Sequence, residues 1–211
     1  MKRIPHIGLD IETLSLRPTA AITAIAAKTF FFDGTTDEER SLNCCVDATS
    51  CAMYGLTIEQ QTVDWWASRP EEAKRYFLDT PAVKLKDALL QLTDLYRSVQ
   101  RDYDCQRVLV WVQGSDFDIA ILRNAYYQVF GDTENFVCPH DRLRDARTYI
   151  LSNLSLLNAA ELLDGYNPDH PYDIIPPKRD GWVKHNADSD VMQMIHNVCY
   201  VNNLLREHLS R

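Results

Sequence analysis

The sequence predicts an α/β fold, a mixed sheet flanked by helices, in a single domain spanning residues 1–211. Three observations lead there. Apolar, β-compatible runs crowd the first fifty residues, helical periodicity takes over in the middle, and a further strand hands directly into a helix after residue 107. A chain of 211 residues can bury one sizeable core but is short for two.

Residues 4–11 form the first apolar run, and residues 20–32 (AAITAIAAKTFFF) and 42–46 form the next two, with Asp33-Gly34 as a turn signal between them. Three sequential strands are expected. Between residues 57 and 100 the pattern becomes helical: Thr57 and Ser68 suit N-caps, Pro70 suits a first turn, and Leu85, Leu89, Leu92, Tyr96 and Val99 recur at helical spacing. Two or three helices fit there. Residues 107–112 (RVLVWV) read as a buried strand, and residues 117–130 as the helix it enters, stopped by Gly131. Residues 151–163 read as helix. Residues 164–184 hold four prolines and two glycines, too many for regular structure, so a long loop is expected. Residues 186–209 carry Val191, Ile195, Val198 and Leu205 on one face, as a helix packing on a sheet does.

The composition excludes several classes. A hydrophobic share of 45% and a charged share of 25% are those of a globular protein, not a disordered one. The first apolar run is broken by His6 and Asp10, and no long uncharged stretch follows, so neither a signal peptide nor a membrane span is expected and the location is read as cytoplasmic. Six cysteines lack CxxC pairs and the spacing of a secreted framework, which points to free, buried thiols. The net charge of −8 is unusual for a nucleic-acid binder, but cations held by clustered carboxylates reverse the local field.

The chemistry-bearing residues fall in four places. Asp10 and Glu12 stand two apart in a strand, so both project from one face while Ile11 points to the core. An isolated Asp-x-Glu is more often a solvated strand end; the other three places alter that reading. Asp118 follows the strand at residues 107–112, at the start of a helix, where negative charge is favoured, while Asp116 suits the N-cap. His185 ends the proline-rich loop, and Asp190 lies in the first turns of the last helix. Taken singly, His185 reads as a surface histidine, as do His6, His140, His170, His196 and His208. Clustered carboxylates with a histidine are the groups that phosphodiester hydrolysis needs, for cation binding and for taking a proton from water.

These residues lie in three motifs, LDIET (residues 9–13), SDFDIAIL (115–122) and HNADSD (185–190), by which the chain resembles the DEDDh 3′-5′ exonucleases of the DnaQ-like, RNase H-like superfamily. The resemblance spans nearly the whole length. It implies an RNase H-like sheet and two divalent cations, Mg²⁺ or Mn²⁺, with Asp10 bridging and Glu12, Asp118 and Asp190 completing the protein ligands. His185 would act as general base toward the attacking water, and nucleoside 5′-monophosphates would leave from the 3′ end of single-stranded RNA or DNA. The loop carrying His185 would close over that end.

In relatives, positions matching Thr13 and Leu14 contact the terminal nucleotide through backbone groups and an apolar wedge. Trp66 and Lys184 join them as candidate substrate residues, although of the adjacent Trp65 and Trp66 at least one is expected in the core. Lys178, Arg179 and Lys184, and separately Arg142, Arg144 and Arg147, form basic clusters that suit backbone phosphates or plain solvation. Where many relatives carry Asn ahead of the Phe-Asp pair, this chain has Gln113, Gly114, Ser115 and Asp116. The stretches TVDWWASRPEEAK, WVQGSDFD and DART resemble the branch with DexA and RNase AS, and relatives suggest a homodimer. Competing readings are a metal-dependent phosphatase or nucleotidase, and a non-catalytic binding module on the same fold.

Overall fold

The computed structural model describes residues 3–176 and 182–209. Six strands form one mixed sheet: β1 (His6–Thr13), β2 (Ile22–Phe30), β3 (Thr36–Val46), β4 (Ala82–Val83), β5 (Leu109–Val112) and β6 (Leu143–Asp145), in the order β4-β3-β2-β1-β5-β6. The first three run antiparallel in sequence, as hairpin-linked strands do, whereas β5 lies parallel to β1 and β6 parallel to β5. β1 therefore sits inside the sheet, and its alternation divides the molecule. Ile7, Leu9 and Ile11 enter a core with α4 (Leu85–Asp102) and α5 (Asp118–Phe130). On the opposite face a second core joins Ala24, Ala26, Phe30 and Trp111 to α6 (Ala146–Ala159) and α7 (Ala187–Leu209).

The expected elements are present, with shifted edges. Three helices fill residues 57–100: α2 (Gln60–Ala67), α3 (Glu71–Asp79) and α4, preceded by a short α1 (Ala48–Met53). Thr57 caps none of them but bridges Ala20, and Ser68 ends α2 instead of starting α3, whose cap is Pro70. β3 begins at Thr36, not residue 42, because Thr36 and Asp37 pair with Phe30 and Thr29 of β2, after which residues 38–40 bulge out of the ladder and Ser41 resumes the pairing at Lys28. α6 begins at Ala146, five residues earlier than expected, since the Asp145 carboxylate accepts from Thr148 N–H and starts the helix there. The proline-rich stretch contains one 3-10 turn at Pro171–Ile174. Lys178 and Arg179 lie outside the described residues.

Two details bring α7 to the polar face of β1. A Cβ at Gly8 would lie 3.0 Å from Met194 Cε and 3.2 Å from Ile195 Cδ1, so the missing side chain lets the helix approach the strand. Buried Lys28, the neighbour of Gly8 on β2, reaches Asp188 at 3.5 Å and Glu38 at 3.0 Å. His6, on the same face, is not a surface histidine: it is buried and accepts from Trp111 Nε1 at 3.2 Å. Burial, helped by Arg144, pushes its pKa down to about 4, so it is a neutral acceptor. All six cysteines are free, and Cys105 alone is only half-buried. No helix among the described residues is long and apolar enough to cross a membrane.

Candidate active site

Asp10 and Glu12 project from β1 opposite Ala26 and Ala24 of β2. Those two small side chains form the floor, leaving height above it for the carboxylates and the start of α7. The β1–β2 register shifts between Glu12 and Thr13, a bulge of the kind that re-aims side chains beside a site. Next to β1, β5 leads through residues 113–117 into α5, where Asp118 is the first helical residue and is buried. The expected cap by Asp116 is not formed. Phe117 occupies the cap position without a side-chain bond, and the Gly114 carbonyl accepts from Phe117 and Asp118 N–H. Asp116 stays exposed. The bend is fixed from outside: Asp145 accepts from Ser115 N–H at 2.8 Å with its second oxygen, so one carboxylate both starts α6 and anchors the approach to Asp118.

The other wall is the segment from Trp182 to Asp190. His185 has φ of 64°, a left-handed conformation that costs a β-carbon residue energy. Asp190 compensates: its Oδ2 accepts from His185 N–H at 2.9 Å, and its Oδ1 accepts from the Trp182 indole at 3.1 Å. Asn186 Oδ1 accepts from Ser189 N–H at 3.1 Å at the start of α7. The His185 ring packs edgewise on Trp65, with centroids 4.8 Å apart, and on Trp66 at 6.1 Å. The loop expected to close over substrate is thus already tied down at its end.

The structure brings Asp10, Glu12, Asp118, His185 and Asp190 to one cleft of about 670 Å³. Ligating atoms of Glu12, His185 and Asp190 lie within 4.8 Å of one another. Burial, then the charges of Asp118, Glu12 and Asp190, raise the Asp10 pKa well above the carboxylate range. Burial followed by Asp190 and Asp118 lifts Glu12 to about 8. Asp118 also rises through burial, against hydrogen bonds from the backbone N–H groups of Ile11 and of Asp118 itself. His185 is lowered by burial, then by Lys184 and Arg69. Acids that prefer a proton beside a base that prefers to be neutral form a site short of positive charge. The donors are hard oxygens plus one imidazole, the set that suits a divalent metal.

A second depression of about 500 Å³ shares Glu12 and His185 with the cleft and is otherwise largely apolar, lined by Ile11, Thr13, Leu16, Trp65 and Trp66 among others. The candidate substrate residues divide here. Thr13 lines it, with its hydroxyl donating to the Ser15 carbonyl, and Trp66 lines it while donating from its indole to the Thr13 carbonyl. Leu14 does not: its backbone pairs with Ala21 and Glu59, and its side chain lines a different cavity behind Trp66. The exposed apolar residue at the mouth is Leu16, 76% accessible. Ser15 and Arg17, on either side of it, are held by Glu59 at 2.7 and 2.9 Å. Spacing alone could not separate Leu14 from Leu16. Lys184 is exposed at the cleft rim; of the second basic cluster only Arg147 reaches it, while Arg142 bonds Tyr96 and Arg144 bonds backbone carbonyls.

The family model of the 3′-5′ exoribonuclease Rv2179c-like domain matches residues 5–173. That stretch includes Asp10, Glu12 and Asp118 and ends before His185 and Asp190. Among solved structures, a product-bound exonuclease I is similar over 97% of this chain, with a TM-score of 0.59 and 13% identity. At that identity the likeness establishes the fold, and the chain spans 44% of that protein's length. No curated protein matches the sequence significantly.

Proposed function

The chain belongs to the Rv2179c-like 3′-5′ exoribonuclease domain family, and we propose from that membership that it removes nucleoside 5′-monophosphates from the 3′ end of single-stranded RNA. The observation that carries this is the meeting of four carboxylates and a histidine in a cleft that opens onto an aromatic depression through Glu12 and His185. Asp10, Glu12, Asp118 and Asp190 would hold two divalent cations, Mg²⁺ or Mn²⁺, and these, when bound, polarise the scissile phosphodiester and make the attacking water acidic. The raised acid pKa values fit that role, because a cation relieves the repulsion that raises them.

The chain's own side chains do the rest. The terminal nucleoside would lie in the depression against Leu16, Trp65 and Trp66, with Glu12 and the Thr13 backbone at its ribose end. An imidazole nitrogen of His185, neutral at pH 7, would take the proton from the attacking water. Trp65 and Trp66 shield one side of that ring from solvent. Six free thiols fit a reducing cytoplasm, where one domain, alone or as a homodimer, would trim 3′ ends.

The test is a denaturing gel of 5′-labelled single-stranded RNA and matched DNA incubated with Mn²⁺, beside a His185→Ala control. The expected result is a ladder shortening from the 3′ end, faster on RNA and lost in the control. Intact strands in every lane would turn the reading toward a phosphatase or a binding module.

A further inference from the structure

The chain carries eight excess negative charges, and several of its arginines are spent on carboxylates: Arg3 on Asp33, Arg17 on Glu59, Arg40 and Arg101 on Asp102. Arg69 is different. It makes no ion pair among the described residues, and its guanidinium instead contacts Trp65 and Ser68. Its carbon lies 4.4 Å from the Trp65 ring centroid, its Nε donates to the Trp65 carbonyl at 3.3 Å, and one Nη donates to Ser68 Oγ at 3.1 Å. Trp65 in turn meets the His185 ring and lines the aromatic depression. One indole therefore separates a stacked, uncompensated cation from the histidine of the site, with guanidinium N–H groups to spare.

Resting on the exoribonuclease reading, we propose that Arg69, stacked on Trp65, binds a backbone phosphate of the RNA other than the one being cleaved. Three physical points support it. A planar fork matches phosphate oxygens in a way an ammonium does not. Stacking on the indole has already removed part of the side chain's freedom, so little entropy remains to be lost on binding. The acidic surface makes a pre-positioned cation beside the site, in addition to Lys184 and Arg147 at the cleft, valuable for holding a polyanion that the net charge repels. The bland alternative is that Arg69 only completes the C-terminal end of α2, where cations are favoured.

The two are separated by measuring binding of a 5′-fluorescein single-stranded RNA by anisotropy across a salt series. Ca²⁺ replaces Mg²⁺, since its looser shell fills an oxygen site without the octahedral geometry of Mg²⁺. Arg69→Gln is expected to weaken binding roughly tenfold at low salt. It should also flatten the slope of log affinity against log salt by about 0.7, the single-strand value for one phosphate contact. Arg69→Lys should keep the slope, because the charge remains while the fork is lost. A wild-type slope in Arg69→Gln, with or without weaker binding, overturns the proposal, as does failure of the wild-type protein to bind RNA. A wild-type protein that binds but leaves RNA intact with Mn²⁺ defeats the exonuclease reading and leaves the Arg69 contact to be judged on its slope.

Discussion

The two walls of the cleft are built in different ways. Asp10, Glu12 and Asp118 stand on a strand inside the sheet and on the first turn of a helix whose base is pinned by Asp145, so their backbones are fixed by the core whatever their carboxylates do. His185 instead hangs on a strained residue whose backbone is held by Asp190, a member of the site itself. On the first wall the scaffold holds the chemistry; on the second the chemistry holds the scaffold. Disturbing the first wall should therefore change activity with the fold intact, whereas disturbing the second should change position and cation binding together.

The largest effect is expected from Asp10→Asn. Loss of the central carboxylate should lower the rate of RNA shortening by about 10³-fold. The same change should stabilise the cation-free protein. Glu12 has its pKa raised to about 8 from 4.5, and Asp10 is raised too, so the unfolded chain gives up these protons at lower pH than the folded one does. Stability from the protonated acids is full below about pH 4.5 and is lost as pH rises through about 8. Melting with and without Mn²⁺ should show little stabilisation by the ion at pH 5 and the most near pH 8, with a flatter pH dependence in Asp10→Asn. Equal Mn²⁺ stabilisation at both pH values would show that the acids are not the ion's ligands.

Gly8→Ala tests how the second wall is held against the first. Its methyl group would meet Met194 and the stiffer Ile195, and Asp190 sits one turn before Met194. Overpacking should cost about 1–3 kcal/mol. A shift of α7 by a fraction of an ångström to an ångström should lower the rate by about 10²-fold, the usual penalty for that misplacement. Full activity with a lowered Tm would mean that Met194 yields and that α7 is positioned by the Lys28–Asp188 contact instead.

The same contrast governs how much could be read from the sequence. The first wall is local: two acids at a spacing of two on a strand, and one at a strand-to-helix junction, follow from periodicity, and both sit as expected. α4 and α7 were equally legible from their apolar stripes. What escaped depends on long-range pairing. Nothing near residue 145 signals that Asp145 will reach Ser115, thirty residues back. Leu14 is backbone-paired to two neighbours and faces a different cavity from the exposed Leu16, which spacing does not encode. The polar half of β3 and the two-residue β4 carry no alternation to detect.

Trp182→Phe should produce the smallest effect and decides whether the indole is a support of the second wall. The substitution keeps an aromatic ring but removes the N–H that Asp190 Oδ1 accepts, leaving His185 N–H on Oδ2. If the indole orients the carboxylate for a cation, calorimetric titration should show Mn²⁺ affinity reduced about tenfold, the lower end of what removing such a supporting hydrogen bond costs. Because the indole lines the cleft and not the aromatic depression, the rate at saturating Mn²⁺ should fall far less than the affinity. An unchanged affinity would show that the indole does not orient Asp190, and the left-handed turn at residue 185, whose N–H meets Oδ2, would then be the feature that ties the two groups together.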